Sequence, residues 1–379
     1  MLLEKVGPKW IEVDLDQLAK NISIIANQVK PANVIPVIKA NAYGHGAIEV
    51  ARALEKQNCE TVAVATLGEA IQLRKNMIKM DILLFGVIPI TEIQDIVNYK
   101  ITPTICTIEF ANKYAELCQR FGTEPAYHFY VDTGMGRMGY SLKESTVMFR
   151  EIQAISNLSL KAIYSHFSVS DEMDSESQNF TQEQYEKMLA WVSENKIKAP
   201  LHMANSGAIL QHTPSYFDSV RPGLCTYGVN PNTKGPMLPG LKPIMKIKCK
   251  ALFIKTMNKG DSIGYGRENV LKEKSNIMTL PVGYADGLPR SLAKGLKAMI
   301  GGKAYPIAGR ICMDMTMIDL GLDELTIDSE VTLMGSEVNS IYEWSELSDM
   351  IPYEVLTRLG TRWAYVYYEN NDIKTILKM

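Results

Sequence analysis

The sequence contains no apolar run approaching the roughly 20 residues that a membrane-spanning helix needs, so no α-helical span is expected. Residues 1–8, Met-Leu-Leu-Glu-Lys-Val-Gly-Pro, lack the long apolar stretch of a signal peptide, and export is not expected. Cysteine is sparse. The six thiols, Cys59, Cys106, Cys118, Cys225, Cys249 and Cys312, form no Cys-x-x-Cys pair and no closely spaced framework. That pattern excludes a disulfide scaffold and predicts free thiols in a reducing, cytoplasmic setting. The five histidines fall at no metal-ligand spacing, so no metal site is expected. A net charge of only −2 gives no reason to expect nucleic acid or an anionic membrane as partner.

What is present is length and alternation. A chain of 379 residues can hold a large core and more than one domain. Apolar, β-branched runs over 34–38, 60–67, 81–86, 101–105, 126–132, 160–167, 201–205 and 219–227 read as eight strands. Helical patterns over 47–57, 69–76, 110–121, 142–155 and 178–195 fall between them. Eight such units predict an α/β fold, a (β/α)8 barrel with its chemistry at the carboxyl ends of the strands. The Pro/Gly-dense stretch 230–240 reads as a break. Beyond it, short alternating runs at 245–257, 276–282, 297–300, 305–308, 316–319 and 331–334 predict a mostly antiparallel β domain. A helical segment over 341–350 and 353–359 and a strand over 364–368 close the chain. The expected domains are residues 11–239 for the barrel, and 240–379 with 1–10 for the β domain.

The stretch Val34-Ile35-Pro36-Val37-Ile38-Lys39-Ala40-Asn41-Ala42-Tyr43-Gly44-His45-Gly46 carries the first chemical signal. A buried strand ends in one lysine, and a small, Gly-containing turn follows. Burial disfavours the ammonium form, which makes the amine a Schiff-base nucleophile. A strand-end lysine that merely reaches solvent is the plain alternative. Asp132-Thr133-Gly134-Met135-Gly136-Arg137 places a guanidinium at the barrel mouth, where it can hold a carboxylate bidentately. With no second Asp-Thr-Gly, an aspartic-protease dyad is excluded. His166 closes a strand at the same mouth, and a satisfied core histidine would look the same. Ser206-Gly207 and Gly223-Leu224 fall in the loops after the seventh and eighth strands, where barrels often bind phosphate. Arg221, among apolar neighbours, needs a partner: the ring nitrogen of a cofactor or a core carboxylate. In the second domain, Gly264-Tyr265-Gly266 sets a tyrosine between glycines, and Gly309-Arg310-Ile311-Cys312-Met313-Asp314 packs an arginine, a thiol and a carboxylate into one turn.

Together, the segments Val37–Gly46, Asp132–Arg137, Arg221-Pro222-Gly223, Gly264-Tyr265-Gly266 and Cys312-Met313-Asp314 resemble the alanine racemases, two-domain racemases dependent on pyridoxal 5'-phosphate. The resemblance runs from the amino terminus to Tyr353. It implies that Lys39 carries the cofactor as an aldimine and that Tyr265, reaching in from the partner of a homodimer, is the second acid/base. Arg221 would hydrogen-bond the pyridine nitrogen. Tyr43, Ser206, Gly223, Leu224 and Tyr353 would surround the phosphate, and Arg137 and Met313 would hold the substrate carboxylate. His166 would sit between Tyr265 and Arg221. Asp171, Arg290, Arg310 and Asp314 resemble residues of the access channel. The activity implied is interconversion of L- and D-alanine, supplying D-alanine for peptidoglycan.

One position departs from the family pattern. Two residues before Asp132, most members have a lysine that becomes carbamylated and orients the substrate-binding arginine; here it is Tyr130. A phenol gives at most a neutral hydrogen bond or leaves room for an anion. A racemase of the same fold that prefers another amino acid, such as serine, is therefore the alternative expectation.

Overall fold

A computed structural model describes residues 6–335 and 339–377, so the ends of the expected second domain, at 1–5 and 378–379, lie outside the described residues. The chain divides into two compact units, one of Leu18–Lys242 and one that joins the residues up to Gln17 to those from Pro243 onward. The division follows from β1 (Lys9–Asp14), which pairs with strands far along the chain. A boundary at residue 11 would fall inside this strand.

The first unit contains eight short strands: β2 (Asn33–Val34), β3 (Thr61–Val64), β4 (Asp81–Leu84), β5 (Thr102–Ile105), β6 (Ala126–Tyr130), β7 (Ser159–Tyr164), β8 (Leu201–His202) and β9 (Ser219–Val220). All are parallel, in the order β2-β9-β8-β7-β6-β5-β4-β3. A parallel bridge between Val37 and Ala63 brings the two ends of that order together. Ile38 N–H donates to Ala63 O at 2.9 Å and Ala63 N–H to Pro36 O at 3.0 Å. The result is an eight-stranded, near-closed barrel with helices after the strands.

Local chemistry explains why several strands are shorter than expected. Thr66 accepts from Glu69 N, and Glu69 accepts from Thr66 N; this capping box starts the helix Leu67–Lys75 and ends the strand early. The first strand is interrupted at Pro36, which has no N–H to offer. Strand β9 stops at Val220 as a regular strand, although Arg221 N–H still donates to Ala204 O at 2.8 Å and Pro222 O still accepts from Val37 N at 2.9 Å before Leu224–Tyr227 forms a single 3-10 turn. Arg221 is therefore just past the strand rather than within it. His166 likewise lies two residues beyond β7.

The second unit holds β10 (Met245–Lys250), β11 (Phe253–Met257), β12 (Ser262–Ile263), β13 (Asn269–Val270), β14 (Ser275–Leu280), β15 (Lys297–Ile300), β16 (Lys303–Pro306), β17 (Thr316–Asp319), β18 (Glu330–Met334), β19 (Ala364–Glu369) and β20 (Asp372–Leu377). Seven strands form one sheet, β16-β15-β18-β10-β1-β19-β20; β11-β14-β17 form a second. Every pair is antiparallel except β1 with β19. Strands β1 and β20 and the helices Leu15–Val29 and Ile93–Asn98 were not expected from the pattern of the chain.

Candidate active site

Lys39 follows the last ladder bond of the first barrel segment, Ile38 N–H to Ala63 O, and the backbone beyond it is unusual. Ala40, Asn41, Ala42 and Tyr43 have φ of 51°, 54°, 53° and 52°, a left-handed turn of four consecutive L residues. Each such residue costs roughly 1–2 kcal/mol, so the turn must be held from outside. The Glu69 carboxylate accepts from Ala40 N at 2.6 Å, Ala65 N at 2.9 Å and Thr66 N at 3.1 Å. Asn41 Oδ1 accepts from Ala47 N at 2.9 Å. The His45 ring stacks on Tyr227 at 4.4 Å, and its Nδ1–H donates to Ala42 O at 2.9 Å. Tyr227 Oη–H in turn donates to Val37 O at 2.9 Å. Strain kept by so many outside contacts is typical of functional segments.

The turn delivers Tyr43 to the loops after β8 and β9. Gly223 has no room for a side chain: a Cβ there would meet Tyr43 Oη at 2.8 Å and Ser206 Oγ at 3.7 Å. Ser206 Oγ accepts from Gly223 N at 2.9 Å and Cys225 N at 3.3 Å, which leaves its own proton to give to a ligand. Asn205 caps the helix Ser206–Gln211 through Ala208 N at 3.0 Å and is held by Ser170 Oγ at 2.6 Å. Gly207 packs so closely on Ser170 and Asp171 that any Cβ would clash with their backbone. Asp171 is half-buried, and its carbonyl accepts from Asn232 Nδ2 at 2.6 Å. Leu224, fully buried, opens the 3-10 turn beside Gly223. Tyr43, Ser206 and Gly223 thus converge into a small cradle of hydroxyl and amide groups, suited to a phosphate.

Arg221 is 3% exposed. Its Nη1–H donates to His202 Nδ1 at 2.7 Å. Its Nη2–H donates to Ser165 O at 2.7 Å and Met203 O at 3.1 Å, and lies 3.3 Å from His166 Nδ1. The guanidinium also lies over the Tyr164 ring at 5.1 Å. Among the described residues no carboxylate pairs with it, which removes the core ion pair as its explanation. Its pKa falls to about 10 through burial, and the group stays cationic. Both terminal nitrogens are engaged; among the described residues Nε is not. Because guanidinium can only donate, His166 and His202 must accept at Nδ1 and carry their protons on Nε2. Burial and the Arg221 charge push both well below the usual histidine range, so both are neutral.

Lys39 has a lowered pKa, first by burial and second by the Arg137 cation, with Glu69 opposing. Arg137 itself is exposed, at the end of a loop built on Asp132. That carboxylate accepts from Gly134, Met135 and Gly136 N–H groups at 2.8–2.9 Å. Tyr130 is 1% exposed, and its hydroxyl is buried with no hydrogen-bond partner among the described residues. Its ring packs edge-on to Tyr164 at 5.0 Å, and burial raises its pKa to about 12.

The remaining expected residues lie in the second unit. Tyr265 is 70% exposed, between Gly264 and Gly266 at φ 73° and 76°. It lines a surface cavity of about 470 Å³ together with Gly264, Cys312, Met313, Asp314, Met315 and Met317. Met313 is 52% exposed. Asp314 pairs with Arg362 at 2.8 Å. Arg310 grips Glu268 with Nε and Nη2, and the cation of Arg290, an exposed residue, helps lower that carboxylate's pKa. Tyr353, half-buried in the helix Pro352–Thr357, does not line the Tyr265 cavity. Sequence reasoning passed over Glu69, Asn41, His45, Tyr227, His128 and His202. Of these, Asn41 and His45 lay inside the Lys39 motif, and His202 opened the His202–Ala208 stretch that carries Ser206-Gly207.

These features fit a phosphorylated cofactor whose ring nitrogen needs a donor: a cradle beside the strand-end lysine and a buried guanidinium with Nε to spare. Fold and site together define the class, a barrel enzyme of the pyridoxal-phosphate-dependent kind. Residues 13–231 match the family described as "Alanine racemase, N-terminal domain", and 244–367 match "Alanine racemase, C-terminal domain". The alanine racemase of Clostridium kluyveri is 36% identical, covering 99% of this chain and 98% of its own; that of Clostridium tetani is 37% identical, covering 98% of each. Among solved structures, the alanine racemase of Clostridium difficile superposes with a TM-score of 0.91 at 34% identity and 98% coverage of both chains. That of Bartonella henselae, with covalently bound pyridoxal phosphate, gives 0.83 at 29% identity, covering 96% of this chain and all of the other. The chain belongs to the alanine racemase family, a family of pyridoxal-phosphate-dependent isomerases.

Proposed function

We infer that this chain interconverts L- and D-alanine by removing the Cα proton on one face and returning one on the other. The observation that carries the reading is the convergence of Tyr43 Oη, Ser206 Oγ and Gly223 N, with Tyr43 delivered by the turn that starts at Lys39, in a chain related over its whole length to alanine racemases. Pyridoxal phosphate, when bound, supplies the electron sink for the pair left behind by the departing proton. Lys39 would hold the cofactor covalently, and its lowered pKa favours the neutral amine that would exchange a proton on one face. Tyr265 of a second copy serves the other face. Its wide exposure and the apolar Met313 and Met315 beside it suit a surface that another subunit covers.

Arg221 would direct Nε–H to the ring nitrogen and keep its proton there, because an arginine cannot act as an acid. Tyr43, Ser206, Gly223, Leu224 and Tyr353 would hold the phosphate. Arg137 and Met313 would hold the substrate carboxylate, and Arg290, Arg310, Asp171 and Asp314 would line the access path. His166, with Nδ1 facing Arg221, has its Nε2–H available to stabilise the Tyr265 phenolate. The barrel supplies the cofactor site and the β domain supplies Tyr265, across a homodimer. Six free thiols suit the cytoplasm, where D-alanine would serve peptidoglycan synthesis.

The serine-preferring alternative rested on Tyr130 and is not favoured. Full-length relatives are alanine racemases, and the Tyr130 ring packs edge-on to Tyr164 with its hydroxyl buried. The test is conversion of L- to D-alanine by the purified, cofactor-loaded protein, with serine measured alongside. A clear alanine preference supports the reading; no racemisation of any amino acid would overturn it.

A further inference from the structure

One pair of buried histidines has no role in the chemistry above. His128 on β6 and His202 on β8 face each other inside the barrel, with His128 Nδ1 and His202 Nε2 2.8 Å apart. His202 Nδ1 accepts a hydrogen bond from Arg221 Nη1–H at 2.7 Å. We propose that His128 is a positioning residue: two hydrogen bonds away from Arg221, it accepts from His202 Nε2–H and so, together with Arg221, fixes the His202 tautomer on which the orientation of the guanidinium depends. The proposal rests on Arg221 facing the ring nitrogen of the cofactor.

The direction of every bond follows from the arginine. A guanidinium has no acceptor, so Arg221 must donate and His202 must accept at Nδ1. The neutral His202 then carries its proton on Nε2 and gives it to His128 Nδ1. His128 in turn carries its proton on Nε2. It lines a cavity of about 540 Å³ at the amino ends of the strands, whose walls include Thr61, Asp81, Thr102, Ala126 and Lys161. A protonated His128 would put a second hydrogen opposite His202 Nε2–H and break the chain. Burial, with the Arg221 and Lys161 charges adding, disfavours that form.

The surroundings leave His202 few other positions. Its ring stacks on Tyr164 at 4.8 Å and 11°. The Tyr164 hydroxyl is 2.8 Å from Thr104 Oγ1, whose own proton goes to Leu84 O at 2.8 Å. Ring position is thus set by stacking, and the remaining freedom, which nitrogen bears the proton, is set by Arg221 on one side and His128 on the other. Without an acceptor at residue 128, His202 Nε2–H is buried and unpaired. The other tautomer exchanges that unpaired donor for an unpaired acceptor, which is the less costly of the two to bury, and sets Nδ1–H against Arg221, pushing the guanidinium away.

The test uses holoenzyme labelled with 15N-histidine. In the wild type, His202 is expected to be protonated at Nε2 and unprotonated at Nδ1. His128→Leu should give a mixture of His202 tautomers and lower kcat roughly ten-fold with little change in KM, the size of effect typical when an outer partner of an active-site group is lost. His128→Gln, whose side-chain carbonyl can accept from His202, should restore the wild-type tautomer and most of kcat. A proton on His202 Nδ1 in the wild type, or an unchanged kcat and tautomer in His128→Leu, would overturn the proposal. Should His128→Leu not fold, the wild-type tautomer and the His128→Gln kinetics decide it. A wild-type protein with no racemase activity overturns the functional reading instead, while the nitrogen shifts still report on the histidine chain.

Discussion

Glu69 holds Ala40. A carboxylate on one helix accepts the first backbone N–H of the left-handed turn after Lys39 at 2.6 Å, while its other oxygen takes the N–H groups of Ala65 and Thr66. One side chain therefore caps its own helix and braces the most strained segment of the site. It also opposes the fall in the Lys39 pKa. Glu69→Ala should destabilise the fold by about 2 kcal/mol, in line with loss of charge-assisted bonds to backbone donors. It should also lower the Lys39 pKa further. Urea unfolding measures the first effect and the pH dependence of cofactor attachment the second.

Gly223 tests the cradle. Gly223→Ala adds a Cβ that strikes Tyr43 Oη at 2.8 Å. Overpacking of this kind costs about 1–3 kcal/mol, so the cofactor should bind roughly ten-fold more weakly. Tyr43→Phe in the same chain removes the struck atom and should recover part of the loss. Titration of the protein with pyridoxal phosphate, followed by absorbance, reads both.

Four histidines, His45, His128 and His202 buried and His166 partly so, set the acid limit. Burial lowers His45 to about 4 and His128 to about 3, and pushes His166 and His202 well below the usual range. Each is depressed in the fold, so the unfolded chain binds more protons between the two values. Their contribution is intact above the unfolded value of about 6.5 and is lost as pH falls toward the folded values. For His45 alone the shift corresponds to on the order of 3 kcal/mol. Urea midpoints should be flat from pH 8 to 7 and fall steeply between 6.5 and 4.

In the β domain, Lys9 carries a similar burden. Asp286 is fully buried and accepts from Lys9 Nζ at 2.5 Å and Gly283 N at 3.0 Å, with Arg362 at 3.4 Å. Lys9→Met leaves that carboxylate to the half-exposed Arg362, and loss of one partner of a buried pair costs about 3–5 kcal/mol. Thermal unfolding should show a large drop, and Asp286→Asn in the same chain should give part of it back.

How much of this was legible depended on the range of the signal. The eight-strand alternation was visible because each strand is a local apolar run. Lys39, Ser206, Gly223 and Arg221 stood out because glycine, proline or a lone charge interrupted such runs. The helix Leu15–Val29 had its own sign, with Leu15, Leu18, Ile22, Ile25 and Val29 buried at alternating spacings of three and four. Strand β1 did not: its partners, Met245–Lys250 and Ala364–Glu369, are hundreds of residues away. Glu69 and His202 were hidden for the same reason. A glutamate three residues after Thr66 reads as an ordinary cap, and nothing local says that it also reaches Ala40. That Arg221 meets histidines and carbonyls, and no carboxylate among the described residues, is a property of the folded barrel alone.

The central claim is that Lys39 of one copy and Tyr265 of another make one active site. Two inactive homodimers, Lys39→Ala and Tyr265→Phe, can be mixed and allowed to exchange subunits. In a mixed dimer one site then receives both lesions and the other receives neither. With random exchange, half the dimers are mixed, and L- to D-alanine conversion should recover to about a quarter of the wild-type rate. If both residues came from the same chain, every site would keep one lesion, and mixing would restore nothing.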